Sequence, residues 1–186
     1  MKKEYATLAR KPFLTPIWLA ALAAFVVASF TIWLWGTATS TTVVLIRHAE
    51  KQLDAGDDPQ LTPAGEARAA LLARMFGANA GYWGLDAIYV SPTRRSRQTA
   101  VPLASQNKIP VIVGPQDDPK ALAHRVLREN QGRHVLIVGH SDTVPLIVQS
   151  LSGVGPIPPI RDDEYGTMYI VTVPRIGRSS VLRLTY

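Results

Sequence analysis

The stretch VVLIRHAEK, Val43 to Lys51, begins as a strand and ends as a charged cluster. Four apolar residues, three of them β-branched, run without interruption, which predicts a short strand buried on both faces. Arg47 and His48 follow with no turn residue between. In open α/β sheets, functional groups collect at the carboxyl ends of the strands. Arg47 and His48 therefore read as site residues at a strand end. A second apolar run, RHVLIVGH, ends in the same way on His140. A third cluster, Arg94, Arg95 and Arg97, follows the short run AIYV. Two histidines and at least two arginines converging on one crevice predict a pocket for a dianion. A guanidinium holds phosphate oxygens in a planar fork and stays charged. The same charge disfavours imidazolium, and a neutral imidazole beside a neutralised phosphoryl group is a nucleophile.

Working outward, LTPAGEARAALLARMF predicts a helix with Thr62 as N-cap and Pro63 in the first turn. Leu71, Leu72, Met75 and Phe76 are its expected buried face. LDAIYV predicts a second strand, and SPTRRSRQTAVPLASQ a helix that Pro102 kinks or breaks. KIPVIV predicts a strand, PKALAHRVLREN a helix ending before Gly132, and SDTVPLIVQSL another helix. TMYIVTV and SVLRLTY predict two late strands, and GVGPIPPIRDDEYG an irregular Gly/Pro-rich loop. Strands alternating with helices predict an α/β domain with three layers, α/β/α, around a mostly parallel sheet.

Four segments in order, LIRHAEK, LTPAGEARA, VSPTRRSRQTA and VLIVGHSDTVP, resemble the histidine phosphatase superfamily, which includes the phosphoglycerate mutases. The resemblance spans nearly all of Thr42 to Thr172. It implies the phosphoglycerate mutase-like fold and a phosphomonoester hydrolase that works through a phosphohistidine, with no cofactor and no metal. On that resemblance His48 is the nucleophile, Arg47 and Arg95 bind phosphate, and His140 hydrogen-bonds the transferring group. Ala49 stands where glycine is usual. The acid that protonates the leaving oxygen is open. Asp142, two residues after His140, is one candidate, and it is equally an N-cap for the following helix. Asp117, Asp118 and Glu164 are others. Members with no obvious acid favour good leaving groups such as phosphohistidine. A non-catalytic phosphate-binding module of the same fold is the main alternative, and a mutase a lesser one.

Other chemistries fit less well. His48, Glu50, His140 and Asp142 have metal-ligand groups, but the adjacent arginines oppose a divalent cation. GHSDT lacks the second glycine of a serine-nucleophile elbow. RRSR has no stacking aromatics beside it, so no nucleic-acid partner is expected. His124 and His134 read as structural. There is no cysteine, hence no disulfide and no thiolate metal site.

The N-terminal part has a separate character. Pro12 to Gly36 carries no charge, and at about 1.5 Å per residue it is long enough to cross the roughly 30 Å hydrocarbon core. Trp18, Trp33 and Trp35 lie towards its ends, where indole rings favour the interface. The span exceeds the usual hydrophobic stretch of a cleaved signal peptide, so an uncleaved signal-anchor is expected. Residues 1–11 supply Lys2, Lys3, Arg10 and Lys11 against Glu4, about half of the net charge of +6. This basic tail is expected in the cytoplasm, with a domain over 41–186 outside it, periplasmic on the inner membrane. The expected partners are the lipid bilayer, through 12–36, and a small phosphorylated substrate or a phosphoprotein.

Overall fold

The computed structural model describes residues 17–37, 39–53, 56–77, 84–115 and 117–186. The chain divides into two compact units, Met1–Thr37 and Ala38–Tyr186. The first contains helix α1, Ile17–Thr37. Its Ile17–Leu34 window has a mean hydropathy of 2.2 and no buried residue, so it is long and apolar enough to cross a membrane. The basic tail 1–11 and the first residues of the expected span, 12–16, lie outside the described residues.

The second unit, Ala38–Tyr186, is a three-layer α/β/α domain. Its elements are β1 (Ser40–Arg47), α2 (Pro63–Met75), β2 (Ala87–Val90), α3 (Arg94–Asn107), β3 (Val111–Val113), α4 (Pro119–Glu129), β4 (His134–Gly139), α5 (Thr143–Ser152), β5 (Thr167–Pro174) and β6 (Ser180–Thr185). The six-stranded sheet has the order β3-β2-β4-β1-β5-β6. The first four positions are parallel, while β5 runs antiparallel to β1 and β6 antiparallel to β5.

The uninterrupted apolar run of β1 is explained by a core on each face. Val43 and Leu45 pack with Leu122, Val126, Val144, Ile147 and Val148 of α4 and α5. Val44 and Ile46 face Leu72, Ala73, Ala100 and Leu103 of α2 and α3. Strand alternation sends successive side chains to opposite faces, so both must be apolar when helices cover both.

Two local expectations are corrected. Met75 is exposed, and the inward face of α2 is Ala69, Leu72 and Ala73, with Phe76 packed partly against it. Small residues there let α2 lie close to α3. Pro102 does not break α3, which continues to Asn107 and ends on Lys108 in the left-handed conformation.

Thr62 does cap α2, its hydroxyl accepting the Gly65 N–H at 3.1 Å. Gly65 has a packing role, because a Cβ there would sit well inside contact distance of the Glu50 carbonyl oxygen. The segment after β1 is thus pressed on the first turn of α2. Gly65→Ala is expected to lower stability by about 1–3 kcal/mol, as for overpacking elsewhere, read as a shift in the urea midpoint without a change of slope.

Candidate active site

Strand register brings the two histidines together. Arg47 pairs with Gly139 in the parallel β1–β4 ladder, and the His48 N–H donates to the Gly139 carbonyl at 3.0 Å. His48 and His140 are the next residues on their strands, so they leave the sheet side by side. Their ring centroids are 5.3 Å apart, edge to face. On the other side of β4, the Ser91 N–H donates to the Val138 carbonyl at 3.3 Å, and α3 then carries Arg95 to the same end. All four predicted residues, Arg47, His48, Arg95 and His140, meet here. Arg94 and Arg97, expected only as flanking residues, are exposed.

Both histidines are held neutral. Burial pushes the His48 pKa from its ordinary 6.5 down to about 3, with His140, Arg95 and Arg47 adding to the effect against a hydrogen bond to Ala49. Burial, then Arg95, lowers His140 to about 4. The His48 Nδ1 lies 2.8 Å from its neighbour's carbonyl, that of Ala49. A carbonyl only accepts, so Nδ1 carries the hydrogen and Nε2 keeps the lone pair. Ala49 itself is fixed by donating its N–H to Thr99 Oγ1 at 3.0 Å, and it packs with Leu61 and Ala69.

The arginines are fixed from outside the pocket. Arg47 Nη1 donates to the carbonyls of Arg161 and Asp162 at 2.8 and 2.9 Å, and more weakly to that of Glu164. Its guanidinium carbon lies 4.3 Å from the centre of the Tyr165 ring. The Asp162 carboxylate, 3.5 Å from Nη2, is 98% exposed and so neutralises little of the charge. The loop 153–166, read from sequence only as irregular, therefore forms one wall of the site. Arg95 is steadied at 3.8 Å by Asp58, which also accepts the Arg94 N–H at 2.8 Å. In both arginines the Nε–H is buried with no protein partner. A buried donor left unpaired costs about 1–3 kcal/mol, a cost that an anion accepting from it would offset.

The candidate acids fall differently. Asp142 is exposed at the start of α5, one oxygen accepting the Thr143 N–H at 2.8 Å, and its charge acts on His140. Asp118 caps α4 through the Ala121 N–H, and the exposed Asp117 precedes it. Glu164 accepts from Thr167 and Arg183, which hold its carboxyl below the usual range. Glu50 is gripped by Arg68 through three hydrogen bonds of 2.6–2.9 Å. Among the described residues, no three His, Cys, Asp or Glu side chains are grouped to hold a metal ion. Sequence reasoning missed Ser91, whose Oγ is 2.9 Å from His140 Nε2, together with Thr99 and Tyr165. Ser91 and Thr99 both lie within VSPTRRSRQTA, the segment that also carries the arginines.

A family model described as the histidine phosphatase superfamily (branch 1) matches residues 43–116. Among solved structures, the protein histidine phosphatase SixA complexed with tungstate is 22% identical, with a TM-score of 0.63, covering 77% of this chain and 96% of its own. A mycobacterial glucosyl-3-phosphoglycerate phosphatase is 14% identical, with a TM-score of 0.57 and coverages of 76% and 97%. The phosphoglycerate mutase of Plasmodium falciparum is 14% identical, with a TM-score of 0.59 and coverages of 78% and 91%. At these identities the likeness is one of fold. No curated protein sequence matches.

The two depressed imidazoles set a pH dependence. Unfolded, each titrates near 6.5; folded, near 3 and 4. Below pH 6.5 the unfolded chain binds more protons, so stability is full above that pH and falls as pH drops towards 4. The slope approaches about 1.4 kcal/mol per pH unit per imidazole. Urea unfolding at pH 7 and pH 5 should show the loss, and His140→Gln should roughly halve it.

Proposed function

We propose that this chain, a member of the histidine phosphatase superfamily, hydrolyses phosphorylated substrates through a phosphohistidine on His48. The observation that carries the reading is the pair of partnerless Nε–H groups on Arg47 and Arg95 beside a neutral His48. In the first step the Nε2 lone pair attacks phosphorus and the leaving group departs with a proton. In the second, water displaces the histidine and phosphate is released. Arg47 and Arg95 supply preorganised charge, and His140 a hydrogen bond, to the transferring group. The arginines take the charge-neutralising part that a metal ion takes in other phosphoryl-transfer sites.

Asp142 is assigned as the proton donor. It is the carboxylate that acts electrostatically on His140, and only one of its oxygens has a protein partner among the described residues. An acid this exposed gives modest help, so substrates with good leaving groups are favoured. Phosphohistidine in a protein is such a substrate, in keeping with the SixA likeness, and small phosphomonoesters are the other class. Residues 12–36 serve as a membrane anchor, with the tail 1–11 cytoplasmic and the 41–186 domain outside. The length and apolar character of α1 support the span, and the basic tail supports the orientation.

With the full chain in detergent micelles, p-nitrophenyl phosphate hydrolysis should resist EDTA and disappear in His48→Ala. Arg95→Ala is expected to lose about 10²–10³-fold in kcat, comparable to removing one preorganised donor elsewhere. Near-normal turnover by His48→Ala would sink the nucleophile assignment. Inactivity of the wild type with retained phosphate binding would make the domain a phosphate-binding module. Asp142→Asn should slow poor leaving groups more than p-nitrophenol; lost stability with unchanged rates would leave Asp142 as a helix cap only.

A further inference from the structure

Ser91 fixes which nitrogen of His140 carries hydrogen. Its Oγ lies 2.9 Å from His140 Nε2 and donates to Ser96 Oγ at 2.8 Å. Thr93 Oγ1 lies 3.0 Å from Ser91 and also donates to Ser96. Ser91 is 8% exposed and Ser96 fully buried, so water does not readily rearrange this hydroxyl group. A serine has one proton to give. With that proton directed at Ser96, Ser91 meets His140 as an acceptor, and Nε2 is the protonated nitrogen. A neutral imidazole has one N–H, so His140 Nδ1 is bare. It has no partner among the described residues and is not sealed from solvent.

His48 holds the opposite tautomer, with Nε2 bare. Each ring therefore keeps one lone pair, on His48 Nε2 and on His140 Nδ1. One is needed for attack. The other would oppose the lone pairs of an incoming oxyanion. The charged groups around His140 are Arg47 of β1, Lys51 in the segment after it, Arg95 of α3 and Asp142 before α5, with neutral His48 alongside. Three cations against one carboxylate keep the ring neutral while the pocket holds no anion. A dianion reverses that local field, and an adjacent negative charge favours imidazolium.

We propose that His140 takes up one proton when a phosphoryl group binds, and that Ser91 is the positioning residue that makes this uptake necessary. The proposal rests on the phosphoryl pocket assigned above. One solvent proton adds to the Nδ1 lone pair for each dianion bound and is given back when the anion leaves. The resulting imidazolium donates through Nε2 to Ser91 and through Nδ1 to the anion. Without the serine, the neutral ring is free to hold its single hydrogen on Nδ1, and no proton is required.

The test uses tungstate, which stays dianionic at neutral pH and does not itself titrate as phosphate does. Calorimetric binding to the full chain in micelles at pH 6.5, in two buffers of different ionisation enthalpy, counts the protons taken up. About one is expected for the wild type, with affinity weakening about tenfold per pH unit as pH rises from there towards the titration point of the complex. Uptake should persist in His48→Gln and Ser91→Thr and fall well below one in His140→Gln and Ser91→Ala. Tight binding with no uptake overturns the proposal and leaves the phosphatase reading intact. Uptake lost in His48→Gln but kept in His140→Gln overturns it too, by placing the proton on the nucleophile. Full uptake in Ser91→Ala overturns the part given to the serine, and if that variant does not fold, the wild type and the two histidine variants still decide. No tungstate binding at all removes the pocket, and both readings with it.

Discussion

The register of β1 against β4 is the constraint on which the site depends. Arg47 stands opposite Gly139, so the residue after each strand is a histidine and the two rings meet edge to face. A slip of one residue would turn Val43 and Leu45 to the face now held by Val44 and Ile46 and would part the histidines. Both faces of β1 are packed against helices, so the packing of each face opposes such a slip. Burial on two sides is what allows a parallel sheet to position chemistry at its end with little tolerance.

The site is then made by withholding partners. Arg47 is nearly inaccessible, yet its closest carboxylate is almost wholly in water, and its other contacts are backbone carbonyls. Carbonyls fix the guanidinium without cancelling its charge. Tyr165 beneath it does the same through the ring face. Arg95 has a less exposed counterpart in Asp58, but at 3.8 Å and half in solvent. The domain thus keeps two cations and two neutral histidines in one small volume, at a cost to its own stability. An anion would relieve that cost, and the proposed coupling of binding to protonation has its source there.

Much of this was legible in the sequence because it follows from local chemistry. The apolar run Val43–Ile46, the strand ending on His140 and the cap at Thr62 each announce themselves within a few residues, and their order gave the layers. The four converging residues followed from the rule that strand ends gather function. What stayed hidden depends on contacts distant in the chain. The wall formed by 161–165 rests on Arg47, more than a hundred residues away, and a Gly/Pro-rich stretch carries no periodicity to betray it. Pro102 misled because helix-breaking is a local tendency, which the packing of Ala100, Leu103 and Ala104 in the core overrides. Ser91 passed unnoticed because a hydroxyl has no charge with which to mark a site.

If the pocket turns over phosphorylated substrates as proposed, the distribution of carboxylates shapes which ones. Glu50 and Glu164 are each held by an arginine, and their carboxyls titrate below the ordinary range. A carboxyl held in its charged form is a poor acid. Asp58 accepts the Arg94 N–H, and Asp118 accepts that of Ala121. Asp142 is exposed at the head of α5, with one oxygen accepting the Thr143 N–H. On the proposed reading, phosphorus meets strong, fixed positive charge, whereas the leaving group meets weak, mobile acidity. Such an imbalance selects among substrates by how well the departing atom carries negative charge, more than by the shape of the group attached to it.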